Sequence, residues 1–208
     1  MSVILATLPN TVTLTNVTFF DNSADLAGGF GQSERTIAPL SVTLSNVTFA
    51  ANMAVEAGDH FFQDAGVTNP RNVLFGPSSL DGCDRSSALV ITLLGGNMDS
   101  DGSCGVEQTE LDPGLAIAPA FDGGFTPTLA LLPGAAAIDA GTNSGCAGLD
   151  QRGAVRPFDG DGNQVAQCDV GAYERGAPLG IFVDGFESGT TSAWSATVPS
   201  ACLSPWGC

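Results

Sequence analysis

Along the first part of the chain, apolar residues alternate with Thr, Ser and Asn at a period of two. Val12 and Leu14 are spaced by threonines, Asn16 interrupts, and Val17 and Phe19 resume the alternation. Period-two alternation of β-branched and aromatic residues predicts strand with the apolar set facing inward, and the Asn that breaks it predicts a bend. Thr11-Val-Thr-Leu-Thr-Asn-Val-Thr-Phe19 then recurs as Ser41-Val-Thr-Leu-Ser-Asn-Val-Thr-Phe49. The echo continues with Asn22 and Asn52, Ala24 and Ala54, and Gly28 and Gly58. Strand chemistry repeated at such a period marks a solenoid, in which each turn buries its apolar face by stacking on the next. Asn16 and Asn46, one above the other, are expected to hydrogen-bond along the ladder.

A weaker copy follows at Asn72-Val-Leu-Phe75, and a strand-like run, Ala88-Leu-Val-Ile-Thr-Leu-Leu94, has lost the Asn. With turns stacked at ~4.8 Å, residues 1–100 predict a short stack of about four parallel coils. Ala27-Gly-Gly-Phe-Gly31 and Ala57-Gly-Asp59 supply corners. From Gly95 the period fades, and residues 101–176 read as an irregular cap that closes the open sheet edge of the last turn. Gly176-Ala-Pro178 introduces a linker and short tail over 177–208. Helix signals are poor throughout, so the fold class is all-β.

Charge and cysteines narrow the setting. Six arginines, no lysine and twenty-two acids give a net charge of -16, which argues against nucleic acid and anionic lipid as partners. No stretch is long and apolar enough to span a bilayer. The six cysteines cluster as Cys83 and Cys104, Cys146 and Cys168, and Cys202 and Cys208. An even, clustered count without Cys-x-x-Cys predicts local disulfides and an oxidising compartment, with sequential pairing expected although other connectivities are formally open. Yet Met1-Ser-Val-Ile-Leu-Ala lacks the basic start and apolar run of an export signal. The expectation is therefore a C-terminal piece of a longer secreted protein. If Met1 is a true start, the exposed N-terminal strand edge favours self-association.

Candidate chemistry is sparse. Asp159-Gly-Asp-Gly-Asn163 has the alternating oxygen spacing of a calcium loop, with Asp159, Asp161 and Asn163 as hard ligands. It fails the EF-hand pattern, since Gln164 stands where glycine belongs and Val170 where glutamate belongs. A Ca²⁺ site of another kind competes with an Asp/Gly turn whose side chains cap their own backbone. Asp99 and Asp101 invite the same two readings. Asp150, Arg152, Arg156 and Glu174 read as ion pairs tying irregular backbone together rather than as a catalytic cluster, with Asp139, Asp169 or Glu174 as the partners of Arg152 and Arg156. His60, the single histidine, stands in Gly58-Asp-His-Phe61 and reads as a corner residue, and Tyr173 belongs to the cap. The glycosylation sequons at Asn16 and Asn46 fall in the repeat core, where packing explains them better.

The Asn-Val-Thr-Phe repeats, Gly96-Asn-Met-Asp-Ser-Asp-Gly-Ser-Cys104, Leu132-Pro-Gly-Ala-Ala-Ala-Ile-Asp-Ala-Gly141, Asp150-Gln-Arg-Gly-Ala-Val-Arg-Pro157 and Cys168-Asp-Val-Gly-Ala-Tyr-Glu174 occur in that order. Together, over about residues 11–174, they resemble the C-terminal region of choice-of-anchor Q domain proteins. The resemblance implies a secreted or surface-displayed bacterial right-handed parallel β-helix, akin to polymorphic outer-membrane proteins. The tail from Phe182 to Ser195 resembles a short segment that ends many exported gammaproteobacterial proteins, implying sorting or anchoring. This chain has fewer coils than that family and no export signal.

The expected function is passive: surface display, adhesion, or contact with extracellular carbohydrate or protein through the solenoid flank. The alternative is a polysaccharide lyase or glycoside hydrolase of β-helix type. A lyase needs a base beside a uronate and a hydrolase needs a carboxylate pair, and no such constellation is recognisable here.

Overall fold

A computed structural model describes residues 10–32, 40–85 and 90–179, and the fold is read from these. The first coil contains β1 (Asn10–Phe20), β2 (Ser23–Leu26) and β3 (Phe30–Gln32). The second repeats it with β4 (Leu40–Ala50), β5 (Met53–Ala57) and β6 (Phe61–Gln63). In the third, β7 (Val67–Arg71) and β8 (Leu74–Phe75) divide what was one strand, and β9 (Cys83–Arg85) follows. The fourth contributes β10 (Val90–Ile91) and β11 (Met98–Asp99), and β12 (Gln108–Thr109) adds a last rung. No described residue is helical.

Every pairing between these strands is parallel, and each strand pairs with its counterpart one coil away. Three sheets result: the long face running from β1 through β4 to β12, a second of β2 and β5, and a third of β3, β6 and β9. This is a three-faced β-solenoid. The twin motifs lie in register, Val12 on Val42, Leu14 on Leu44 and Phe19 on Phe49, so like residues pile into columns inside the coil. Phe19, Phe49 and Phe75 form one such column, with ring centroids 4.9 and 5.2 Å apart and planes within 8°. Phe30 and Phe61 form another at 6.0 Å. Identical rungs make this inevitable, because parallel pairing in register stacks each side chain on its own copy.

The bends have a backbone cause. Asn16, Asn46 and Asn72 take positive φ of 55°, 53° and 50°, and Gly96 continues the same column at 70°. A left-handed residue turns the chain and resets the alternation, so Leu14 and Val17 both face inward across it. Asn tolerates that conformation better than most residues, and glycine tolerates it freely. The fourth coil has indeed lost its Asn, and Gly96 replaces it.

The expected ladder between these asparagines is not what forms. Asn16 Nδ2 donates to Leu149 O at 2.7 Å, and Asn46 Oδ1 accepts from Ala147 N at 3.2 Å. Asn72 pairs with the Thr142 backbone twice, Nδ2 to O at 3.0 Å and Oδ1 from N at 2.7 Å. Positive φ turns these side chains out of the column and toward the C-terminal residues. A true Asn ladder forms one corner later, where Asn22 Nδ2 donates to Asn52 Oδ1 at 2.8 Å.

Consequently the cap does more than close an end. Cys83–Cys104 staples the last coils, and Cys104 and Val106 pack into the coil interior. Beyond that, residues up to 179 fold back along the outer face of the long sheet. Thr18 Oγ1 donates to Gln151 Oε1, Ala172 N donates to Thr48 Oγ1, and Gly171 N donates to Asn72 O. A second apolar core, Leu74, Met98, Leu131, Ala137 and Val170, fills the space between sheet and cover. The reason is visible in one outward column. Thr18 and Thr48 are followed by Leu74 and Met98, so from the third coil the strand is apolar on both faces and must be covered on both.

Candidate functional site

The disulfides Cys83–Cys104 and Cys146–Cys168 have the sequential pairing expected of them, whereas Cys202 and Cys208 lie outside the described residues, as does most of the tail. Cys146–Cys168 brackets the loop that carries the candidate calcium ligands. There the fold brings together Asp139, Asp159 and Asp161, whose ligand oxygens all lie within 4.8 Å of one another. Asn163 spends its side chain within the turn. Its Oδ1 accepts from Val165 N at 2.8 Å and its Nδ2 donates to Asp161 Oδ2.

Turn capping accounts for most of these oxygens. Asp159 Oδ1 accepts from Gly162 N and Asn163 N, and its Oδ2 from Gln164 N. Asp161 Oδ1 takes Asn163 N. Asp139 Oδ2 takes Gly160 N and Asp161 N at 3.0 and 2.8 Å, while its Oδ1 is buried and unpartnered. Burial, with the charges of Asp161 and Asp159, pushes the Asp139 carboxyl above its usual range. A hard cation could sit among these three carboxylates, with Asp139 Oδ1 as the open donor. Reading the loop alone missed Asp139, which reaches it from a distant turn. No local sequence signal announces this approach; the residue takes a positive φ of 52° there.

Asp150, Arg152, Arg156, Asp169 and Glu174 form a second charged cluster. Arg152 Nη2 meets Asp150 Oδ2 at 2.8 Å, and Arg156 Nη1 meets Glu174 Oε2 at 3.4 Å, with all four side chains nearly or wholly buried. The remaining lone pairs go to backbone. Asp150 Oδ1 accepts from Arg152 N and Ala154 N, and Glu174 from Phe158 N and Asp169 N. Asp169 accepts from Asp139 N and Arg175 N. Arg156 Nη2 caps Gly171 O at 2.9 Å, and Arg152 stacks over the Tyr173 ring at 3.7 Å. Here charged side chains do what a helix or sheet ladder does elsewhere: they satisfy buried backbone groups. Burial, then the Glu174 charge, pushes Asp169 up to about 7. Burial raises Glu174 as well, against the pull of Arg156.

The third cluster surrounds His60, which is fully buried. Its Nε2 lies 2.7 Å from Gly76 O and its Nδ1 3.4 Å from Asn52 Nδ2, so Nε2 carries the proton and Nδ1 accepts. Burial lowers its basicity, opposed by the Gly76 bond and by Asp59 and Asp101. Asp59 Oδ1 takes Ala54 N, and its Oδ2 takes Ser79 N, Ser79 Oγ and Leu80 N. Asp101 Oδ2 takes Ser78 Oγ and Gly82 N. Asp99, pushed up to about 6 by burial, caps Cys104 N and Asp101 N. These residues pin corners. A histidine so enclosed has no open path to a substrate proton.

The chain thus has the architecture of a β-solenoid with a disulfide-stapled cover. It matches no family model, no curated protein and no solved structure. No described helix is long and apolar enough to cross a membrane.

Proposed function

We propose that this chain is a passive module: the C-terminal part of a longer secreted or surface-displayed bacterial protein, of the choice-of-anchor Q kind. Its solenoid contacts carbohydrate or protein outside the cell. One observation carries this reading: the charged residues of the three clusters are spent largely on backbone and on one another, while an uncovered half of the long sheet presents hydroxyls. Thr11, Thr13 and Thr15 on β1 are exposed, with Ser41 and Thr43 beside them on β4. Uncharged, evenly spaced hydroxyls on a flat sheet suit polyol contact and leave no group poised for proton transfer.

The edge of β1 supports a related reading, that further coils of the parent protein or a second copy extend the stack there. Among the described residues β1 pairs only with β4, and Val12, Leu14, Val17 and Phe19 remain partly open. Residues 1–9 lie outside the described residues.

A panel of neutral glycans, polyuronates and mucins, with and without calcium, tests the proposal. Retention without product, weakened when Thr13 and Thr43 are both replaced by Glu, is the expected result. Reproducible release of unsaturated or reducing-end products, lost on substituting His60 or one of the acids, would overturn it in favour of a lyase or hydrolase.

A further inference from the structure

Within the cover, residues 115–131 form a hairpin, bridged antiparallel at Leu115–Leu131 and Ala120–Thr128. Its returning strand is buried at Thr128, Leu129 and Leu131, but its tip carries Phe121 at 72 % exposure and Phe125 fully exposed. Two bare phenylalanines at one turn are unusual on so acidic a surface and call for a partner. The turn itself is built for close approach. Gly123 takes a positive φ of 94°, and the Leu179 side chain occupies the space a Cβ there would need. A Cβ at Gly124 would meet Arg152 Cα at 2.8 Å.

Leu179 therefore already sits on the hairpin tip, and it is the last described residue. It pairs antiparallel with Ala154, two residues from Arg152, whose Cα lies against Gly124. Val155 and Leu179, half exposed, extend the apolar surface beside the phenylalanines. The next residues in sequence are Gly180-Ile-Phe-Val-Asp-Gly-Phe186, four of them large and apolar.

We propose that residues 181–186 dock on this surface and cover Phe121, Phe125, Val155 and Leu179. A second copy is the weaker occupant. Copies carrying a charge of -16 repel each other, whereas the tethered segment is presented at an effective concentration on the order of millimolar. Nothing in this assignment depends on what the solenoid binds.

A photoreactive benzophenone side chain at position 125 of the full chain tests it, read by mass spectrometry on a mixture of isotopically light and heavy protein. Cross-links within one chain to residues 181–186 are expected. Cross-links between light and heavy chains would assign the patch to a second copy, and links elsewhere or none would equally overturn the proposal. As an independent readout, replacing Phe182 and Phe186 with Ser should raise deuterium uptake of residues 120–126 severalfold. Unchanged uptake would also overturn it.

Discussion

The coils and their cover solve the same problem by opposite means. In the coils, backbone groups pair with backbone one rung away, and the interior is filled by columns of Val, Leu and Phe. In residues 132–179 regular pairing is nearly absent, and buried Asp150, Arg156, Asp169 and Glu174 bond the irregular backbone instead. Repetition makes the first solution cheap to specify, since one good rung can be copied. The second is bespoke: each charge has its own partners, and removing one strands others in a dry interior.

The largest effects should separate the two regions. Phe49 is fully buried and stacked between Phe19 and Phe75, so Phe49→Ala removes the middle of a column and should cost about 3–5 kcal/mol. Chemical denaturation followed by far-ultraviolet dichroism would read it as a loss of the whole sheet signal. Arg156→Met should cost about 3 kcal/mol, because it leaves Glu174 buried without its cation and the carbonyls of Asp169 and Gly171 without their donor. Hydrogen exchange should then rise across residues 139–175 while amides of β4 and β7 stay protected. If both substitutions loosened both regions equally, the division drawn here would fail.

A smaller effect follows from Asp169. Its carboxyl is held at about 7 in the folded protein against an ordinary value of 3.8, so the folded state holds a proton that the unfolded chain gives up earlier. Stability from this group is fully present below about pH 4 and is lost as pH rises to about 7, at ~1.4 kcal/mol for each unit. Glu174 and Asp99 are raised too and slope the same way. The cover should therefore loosen between pH 4 and pH 7, an unusual direction for a protein this acidic. Asp169→Asn keeps an acceptor without the charge and should flatten that slope; a midpoint of thermal unfolding that still falls equally with pH would locate the proton elsewhere.

The coils were legible because their information is local and repeated: alternation gave the strands, and the period gave the register. The disulfide pairing of the four described cysteines was legible from clustering alone. What escaped was where the C-terminal residues go. The contacts of Asn16, Asn46 and Asn72 span 133, 101 and 70 residues, and no local pattern announces such pairings. The clue was the drift of one outward column from Thr18 and Thr48 to Leu74 and Met98, which marks a face changing from wet to dry. Asp139 joined the calcium-like loop from outside it, for the same long-range reason.

The finest distinction lies at the seam between the two regions. Asn46 serves the coil through its positive φ of 53° and the cover through its bond to Ala147 N. Asn46→Gly keeps the backbone conformation and loses only the side-chain bonds, to Ala147 N and the weaker ones to Cys146 Sγ and Ser45 Oγ, so it should cost about 1 kcal/mol. Asn46→Ala loses the same bonds and also forces a Cβ into the left-handed region, adding about 1–2 kcal/mol. If turn geometry dominates at this position, the glycine variant will sit well above the alanine variant in denaturant midpoint. If the cover's hold dominates, the two will coincide, both with faster exchange at residues 142–151. Equal midpoints with unchanged exchange there would mean the asparagine fastens nothing to the flank.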